Sequence, residues 1–161
     1  MSSERFPVTV LGAKMLKDEL HHLKTNDRPD VIQAIAEARA QGDLSENADY
    51  DAAKERQGFV EGRIKELEYK TSKMQIIDPT KLNAGDRVVF GSKAILENLE
   101  TQEESSYWVV GEDEADVKEN KISHISPMAR AIIGKHVGEE VLVNTPSGSN
   151  TFEIVDVVYQ E

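Results

Sequence analysis

A chain of 161 residues with 30 Asp and Glu against 19 Lys and Arg, a net charge of -11, repels phosphate and excludes tight autonomous binding to DNA or RNA. It contains no cysteine, which rules out disulfides and thiolate zinc sites. No segment approaches membrane-spanning length or the apolar core of a signal peptide, so a soluble, cytoplasmic protein without a membrane partner is expected. The charge is shared unequally. Residues 1–78 carry 12 Lys and Arg against 15 Asp and Glu (-3), and residues 79–161 carry 7 against 15 (-8).

Two hydrophobic periods divide the chain. From Gly12 to about Gln41, Leu16, Leu20, Leu23, Val31, Ile35 and Ala38 recur at helical spacing. The stretch TNDRPD interrupts them, because Asp27 falls on the stripe and Pro29 has no N–H for the ladder; a kink or loosened turn is expected over Asn26–Asp30, rather than a helix end. Beyond the turn, Tyr50, Ala53, Gln57, Val60, Ile64, Leu67, Thr71 and Met74 step alternately by three and four, a heptad seam. Two helices with one apolar stripe each, joined by a short turn, predict an antiparallel coiled-coil hairpin over 1–78. An arm of nearly thirty residues would reach roughly 40–45 Å.

From Pro79 the pattern changes to short β-rich runs: Arg87–Phe90, Ala94–Leu99, Tyr107–Val110, Lys121–Ser126, Glu140–Asn144 and Thr151–Tyr159. SPMARAIIGK breaks the series as one short helix, with Ser126 at the N-cap, Pro127 at the first helical position and Gly134 at the exit. Residues 79–161 are therefore expected as a small antiparallel sheet with one short helix, and the chain as α+β. Trp108, alternating with Val110, is expected in the core.

The link between the helices, GDLSENADYD (Gly42–Asp51), crowds Asp43, Glu46, Asp49 and Asp51 together, with no Lys or Arg between Arg39 and Lys54. Two accounts are open. Asp43 to Glu46 has capping-box spacing, in which Asp43 accepts the N3 amide and Glu46 reaches back, while a left-handed Gly42 ends the preceding helix. That leaves Asp49 and Asp51 as excess charge. Alternatively, oxygen ligands at an exposed tip suit a hard cation such as Mg²⁺. Two carboxylates alone hold that ion weakly, and an open tip lacks a dry pocket, so the finger would work by entering a partner's site. His21, His22, His124 and His136 form no chelating pattern and are read as surface or structural. The acidic run GEDEADVKEN (Gly111–Asn120) is read as a solvated loop.

IAEARAQGDLSENADYDAAKERQGFVEGRIKELE closely resembles the N-terminal signature of the bacterial Gre transcript-cleavage factors, and VVGEDEAD and ISPMARAIIGK resemble segments of their C-terminal domain. The likeness covers essentially the whole chain, and its acidic balance resembles the GreA branch. The resemblance implies a transcription elongation factor without enzyme activity of its own. It would bind bacterial RNA polymerase, pass its coiled coil down the secondary channel and stimulate cleavage of the backtracked RNA 3′ end. Asp43 and Glu46 match the catalytic pair that helps hold a Mg²⁺ shared with the polymerase active site and orients water. Gly42, Leu44, Asn47 and Tyr50 match tip-supporting positions, and Arg39 and Lys54 match basic positions that meet the extruded RNA. Ser126, Pro127 and Met128 match the loop that grips the channel rim. It further implies a C-terminal domain similar in fold to FKBP-type prolyl isomerases, without their activity, and a monomer. Ser45 and Asp49 depart from the family pattern. An inhibitory relative that occupies the channel without stimulating cleavage is the alternative.

Overall fold

The structure, a computed structural model, describes residues 5–42, 47–82 and 84–159. It divides into two compact units: Ala13–Met74, and Gln75–Glu161 together with the residues up to Gly12. The boundary expected at 78/79 differs in that the first strand joins the second unit. The reason is pairing, because β1 (Phe6–Thr9) forms a two-stranded sheet with β2 (Met74–Ile77).

The helical unit follows its seam. Helix α1 (Val10–His22) runs through a π turn at Leu23–Asp27 into α2 (Arg28–Ala40), and α3 (Ala48–Lys73) returns antiparallel. In α3 the heptad positions Ala53, Val60, Ile64 and Leu67 are buried, facing Val31, Ile35 and Ala38 of α2. Tyr50, Gln57 and Thr71, the polar members of the seam, are half-buried. The expected loosened turn is the π turn: the Arg28 N–H reaches back five residues to the Leu23 carbonyl. Pro29 cannot donate to the Thr25 carbonyl, and widening the turn by one residue accommodates that loss. It also re-phases the stripe, since Leu23 and Val31 are both buried although eight residues apart.

Ion pairs along the hairpin set its register. Arg28 grips Glu61 through two bonds of 2.8 and 2.9 Å, Arg63 grips Glu19 through 2.6 and 2.8 Å, and Lys24 meets Glu68 at 3.0 Å. All are partly exposed, so each contributes only about 0.2–1 kcal/mol. Their bidentate geometry specifies alignment more than it adds stability.

In the second unit, β3 (Lys93–Asn98), β4 (Glu104–Val110), β5 (Lys121–Ser123), β6 (Glu140–Thr145) and β7 (Gly148–Val158) form a five-stranded sheet in the order β5-β4-β3-β7-β6. Helix α4 (Pro127–Ile132) buries Ala129 and Ile132 against Val88, Leu96, Val109, Val141, Val143 and Ile154 on one face. The sheet is not wholly antiparallel as expected, because β4 and β5 run parallel, joined through the 111–120 segment. The expected strand Arg87–Phe90 is reduced to an isolated bridge between Arg87 and His136. Val88 is fully buried, but its backbone bonds Lys135 and Gly134 rather than a strand. Trp108 is also corrected. Tyr107 and Val109 face the core, so alternation puts Trp108 half-buried on the other face, where Lys93 Nζ lies 5.4 Å from its ring centroid.

The acidic segment after β4 is not merely solvated. Glu114 accepts from the Thr9 N–H at 3.1 Å, the Gly111 N–H at 3.0 Å and the Thr9 hydroxyl, while Thr9 Oγ1 accepts from the Gly12 N–H at 2.9 Å. A carboxylate thus closes over the first turn of α1, where unpaired N–H groups favour negative charge. A Cβ at Gly12 would have to displace that carboxyl group.

On the sheet face away from α4, the register places Glu140 opposite Glu153, Glu153 opposite Glu97, and Glu97 opposite Glu104. Like charges directly opposite one another destabilise a sheet by a fraction of a kcal/mol per pair.

Two outcomes follow from these contacts. The Arg63 hydrogen bonds hold the Glu19 carboxyl below its ordinary value of 4.5, against the burial that pushes it up, and Arg28 does the same for Glu61. A carboxylate whose folded value is lowered adds stability above its unfolded pKa and loses it as pH falls through the folded value. Glu19→Gln should therefore cost about 0.5 kcal/mol in melts near about pH 7, with the gap to wild type closing as pH falls below the ordinary carboxylate range. Conversely, Glu153→Gln, which removes a charge flanked by two others, should stabilise the protein by about 0.5 kcal/mol in denaturant titrations, and by less in high salt.

Candidate functional site at the hairpin turn

The turn is built from both helix ends. Helix α2 finishes at Gln41, and Gly42 has φ +108°, the left-handed conformation expected of it. Asp43, Leu44, Ser45 and Glu46 lie outside the described residues. The chain re-enters at Asn47, and the capping box read over Asp43–Glu46 lies with those residues outside the described ones. The N-cap of α3 is Asn47: its Oδ1 accepts from the Tyr50 N–H at 3.0 Å. Its Nδ2 donates to the Ala38 carbonyl of α2 at 2.6 Å. One buried amide therefore caps one helix and ties it to the end of the other.

The capping assignment changes the electrostatics of the turn. With α3 beginning at Ala48, Asp49 and Asp51 fall in its first turn, where the helix dipole favours anions by some tenths of a kcal/mol each. They are the acids that helix formation explains. Asp43 and Glu46 precede the cap in the sequence.

Tyr50 is half-buried beside the cap, and the Arg39 guanidinium lies 5.8 Å from its ring centroid. That placement combines cation–π attraction with a fixed position for the charge. Lys54, four residues beyond Tyr50 and so on the same flank, is exposed, with Nζ 3.2 Å from Gln57 Oε1. Arg39, Tyr50 and Lys54 thus share one side of the hairpin next to the turn. The other flank carries a shallow groove floored by Ala34, Ala38, Ala52 and Ala53, with Asp49 and Arg56 at its edge.

The remaining expected site residues lie in the other unit. Ser126 is the N-cap of α4, its Oγ accepting from the Ala129 N–H at 3.3 Å, and Pro127 is exposed at the first helical position. Met128 is half-buried against the core, so its side chain is partly committed to packing. Just upstream, the His124 ring meets Phe90 edge-on at 5.7 Å, and its buried Nδ1 has no partner among the described residues. His136 Nδ1 lies 2.6 Å from Asp86 Oδ1.

Among the described residues no three His, Asp or Glu side chains gather closely enough to hold a metal ion, and no helix is long and apolar enough to cross a membrane. The two tip carboxylates suit a hard cation by donor type, yet a pair of oxygens leaves most of an octahedral shell to other ligands. Sequence reasoning missed the positions of Glu114 and of the glutamate row. A Thr three residues before Gly12 signalled a capped helix start, but nothing local tied it to Glu114, 105 residues away.

Residues 6–76 match the family model described as "Transcription elongation factor, N-terminal", and residues 83–159 match "Transcription elongation factor, GreA/GreB, C-term". A protein of Thioalkalivibrio sulfidiphilus named transcription elongation factor GreA is 60% identical over 153 residues, covering 95% of this chain and 97% of that protein. Its namesake from Verminephrobacter eiseniae is 58% identical over 154 residues, covering 96% and 98%. A crystal structure of GreA factor homolog 1 (Gfh1) of Thermus thermophilus is 28% identical and covers 96% of this chain and 99% of that one, with a TM-score of 0.44. With both family models matched in sequence order and relatives aligned nearly end to end, the chain belongs to the GreA/GreB family of transcription elongation factors.

Proposed function

We propose that this elongation factor binds bacterial RNA polymerase in the cytoplasm and places its hairpin turn in the polymerase active site through the secondary channel. There it stimulates hydrolysis of the backtracked RNA 3′ end. The observation that carries this reading is the cap of α3. Asn47 caps the start of α3 and the dipole accounts for Asp49 and Asp51, so the acids of the turn that the described helix start does not use in its capping are Asp43 and Glu46, which precede it in the sequence.

Within the complex, Asp43 and Glu46 would complete the shell of a Mg²⁺ held mainly by polymerase carboxylates, and would orient the attacking water. Such an ion supplies charge stabilisation and a more acidic water. Asn47 holds the turn closed by its two bonds, and Arg39, steadied on Tyr50, with Lys54 presents positive charge to the extruded RNA backbone. Ser126, Pro127 and Met128 contribute the rim contact, with Pro127 the most available of the three. The factor supplies groups to the polymerase's own cleavage reaction and is no nuclease by itself.

The test is a stalled, backtracked polymerase supplied with Mg²⁺ and this protein. RNA shortened from the 3′ end is expected, and Asp43→Ala with Glu46→Ala should abolish the stimulation while leaving association with polymerase nearly unchanged. Full stimulation by the double variant would remove the metal role. Asn47→Ala should weaken the hairpin by about 1–2 kcal/mol and lower stimulation several-fold, with docking retained. Hydrogen exchange at the amides of Tyr50 and Asp51 would report the loosened cap directly.

A further inference from the structure

Helix α4 packs on one face of the five-stranded sheet, and the strands' other face carries exposed side chains among the described residues. On that open face Leu142 is 58% exposed, Ile95 and Trp108 are half-buried, and Glu140, Glu153, Glu97 and Glu104 form one continuous row across β6, β7, β3 and β4. None of these four glutamates has a basic partner among the described residues, and no group there is arranged to chelate a metal. A soluble sheet gains nothing from such alignment, because each directly opposed pair repels. We propose that this sheet face is a second docking surface of the factor, and that its occupant is a basic, amphipathic α-helix of a protein partner lying across the strands.

The spacing supports a helix. Neighbouring strands lie roughly 4.8 Å apart, so four carboxylates in a row span about 14 Å. Lys and Arg at i, i+3, i+7 and i+10 of a helix cover about 15 Å, in steps close to the carboxylate spacing. A partner strand, whose same-face residues recur every ~6.8 Å, drifts out of phase after one contact. Leu142 and Ile95 lie two residues along their strands from Glu140 and Glu97, so they flank the row on either side and meet the apolar border of an amphipathic helix. Nucleic acid is disfavoured by the same row of charge.

This inference rests on the polymerase reading above, with the helix belonging to the polymerase surface. The test measures association of the full-length protein with purified RNA polymerase at low and high salt. The variants are E97Q/E104Q/E140Q/E153Q, which keeps shape and removes the repulsion, and the tip variant Asp43→Ala with Glu46→Ala. About tenfold weaker binding and a flatter salt dependence are expected for the glutamine variant, with wild-type affinity for the tip variant. A glutamine variant that binds with unchanged affinity and salt dependence overturns the docking surface while leaving the cleavage reading intact. Failure of the wild type to bind at all overturns both. Thermal melting at or above the wild-type temperature is expected for the glutamine variant. If it melts lower, Glu104→Lys and Glu140→Lys, at the two exposed ends of the row, replace it; unchanged polymerase affinity in both is then the overturning result.

Discussion

Two helices that share an apolar seam still need their ends tied if the turn between them is to hold a shape, and in this chain the tie is the side-chain amide of Asn47. Its oxygen satisfies an N–H at the start of α3, and its nitrogen satisfies a carbonyl at the end of α2. A carboxylate in its place could accept the first bond but has no proton for the second, and a serine would not span to Ala38 while capping Tyr50. The cap therefore decides more than one helix boundary. It sets Asp49 and Asp51 in the first turn of α3, where the helix dipole favours their charge.

The rest of the helical unit supports this arrangement by specifying alignment. The π turn adds one residue between α1 and α2, so that the stripe before Pro29 and the stripe after it meet the same seam of α3. Arg28 and Arg63 then lock the pairing by bidentate contacts that a register slip would break. None of these pairs adds much stability in water. Their contribution is that the turn forms at one place along both helices.

The second unit uses acids in two contrasting ways. Glu114 is satisfied by three donors around the first turn of α1, a charge the fold consumes. The glutamates along the open sheet face are aligned without compensation within their unit, a charge the fold tolerates. The overall excess of negative charge thus mixes structural anions with anions whose place the fold does not explain, and composition could not separate them.

Much of the architecture was legible locally. The alternating steps of three and four named the buried positions of α3, Pro29 marked the widened turn, Gly42 its left-handed exit, and Ser126 with Pro127 the start of α4, because each follows from backbone geometry within a few residues. Tertiary structure decided where two local rules competed or where partners lay far apart. Both Asp43 and Asn47 stand in plausible capping positions, and the cross-helix bond to Ala38 selects Asn47. Val88 and Val89 look like a strand, but Val88 bonds a turn near residue 135 and Val89 bonds Ser92. Trp108 was assigned to the wrong face because both faces of β4 are buried near Val110, which hides the alternation. The glutamate row arises only when four strands settle into register, and the Glu114 clasp joins residues 105 positions apart. The chain by itself determined its periods, its breaks and the residues at its tip, since these are set by neighbours along the backbone. Which of the described charges are spent on folding was decided only by contacts between distant segments, because a charge is compensated by what lies beside it in space.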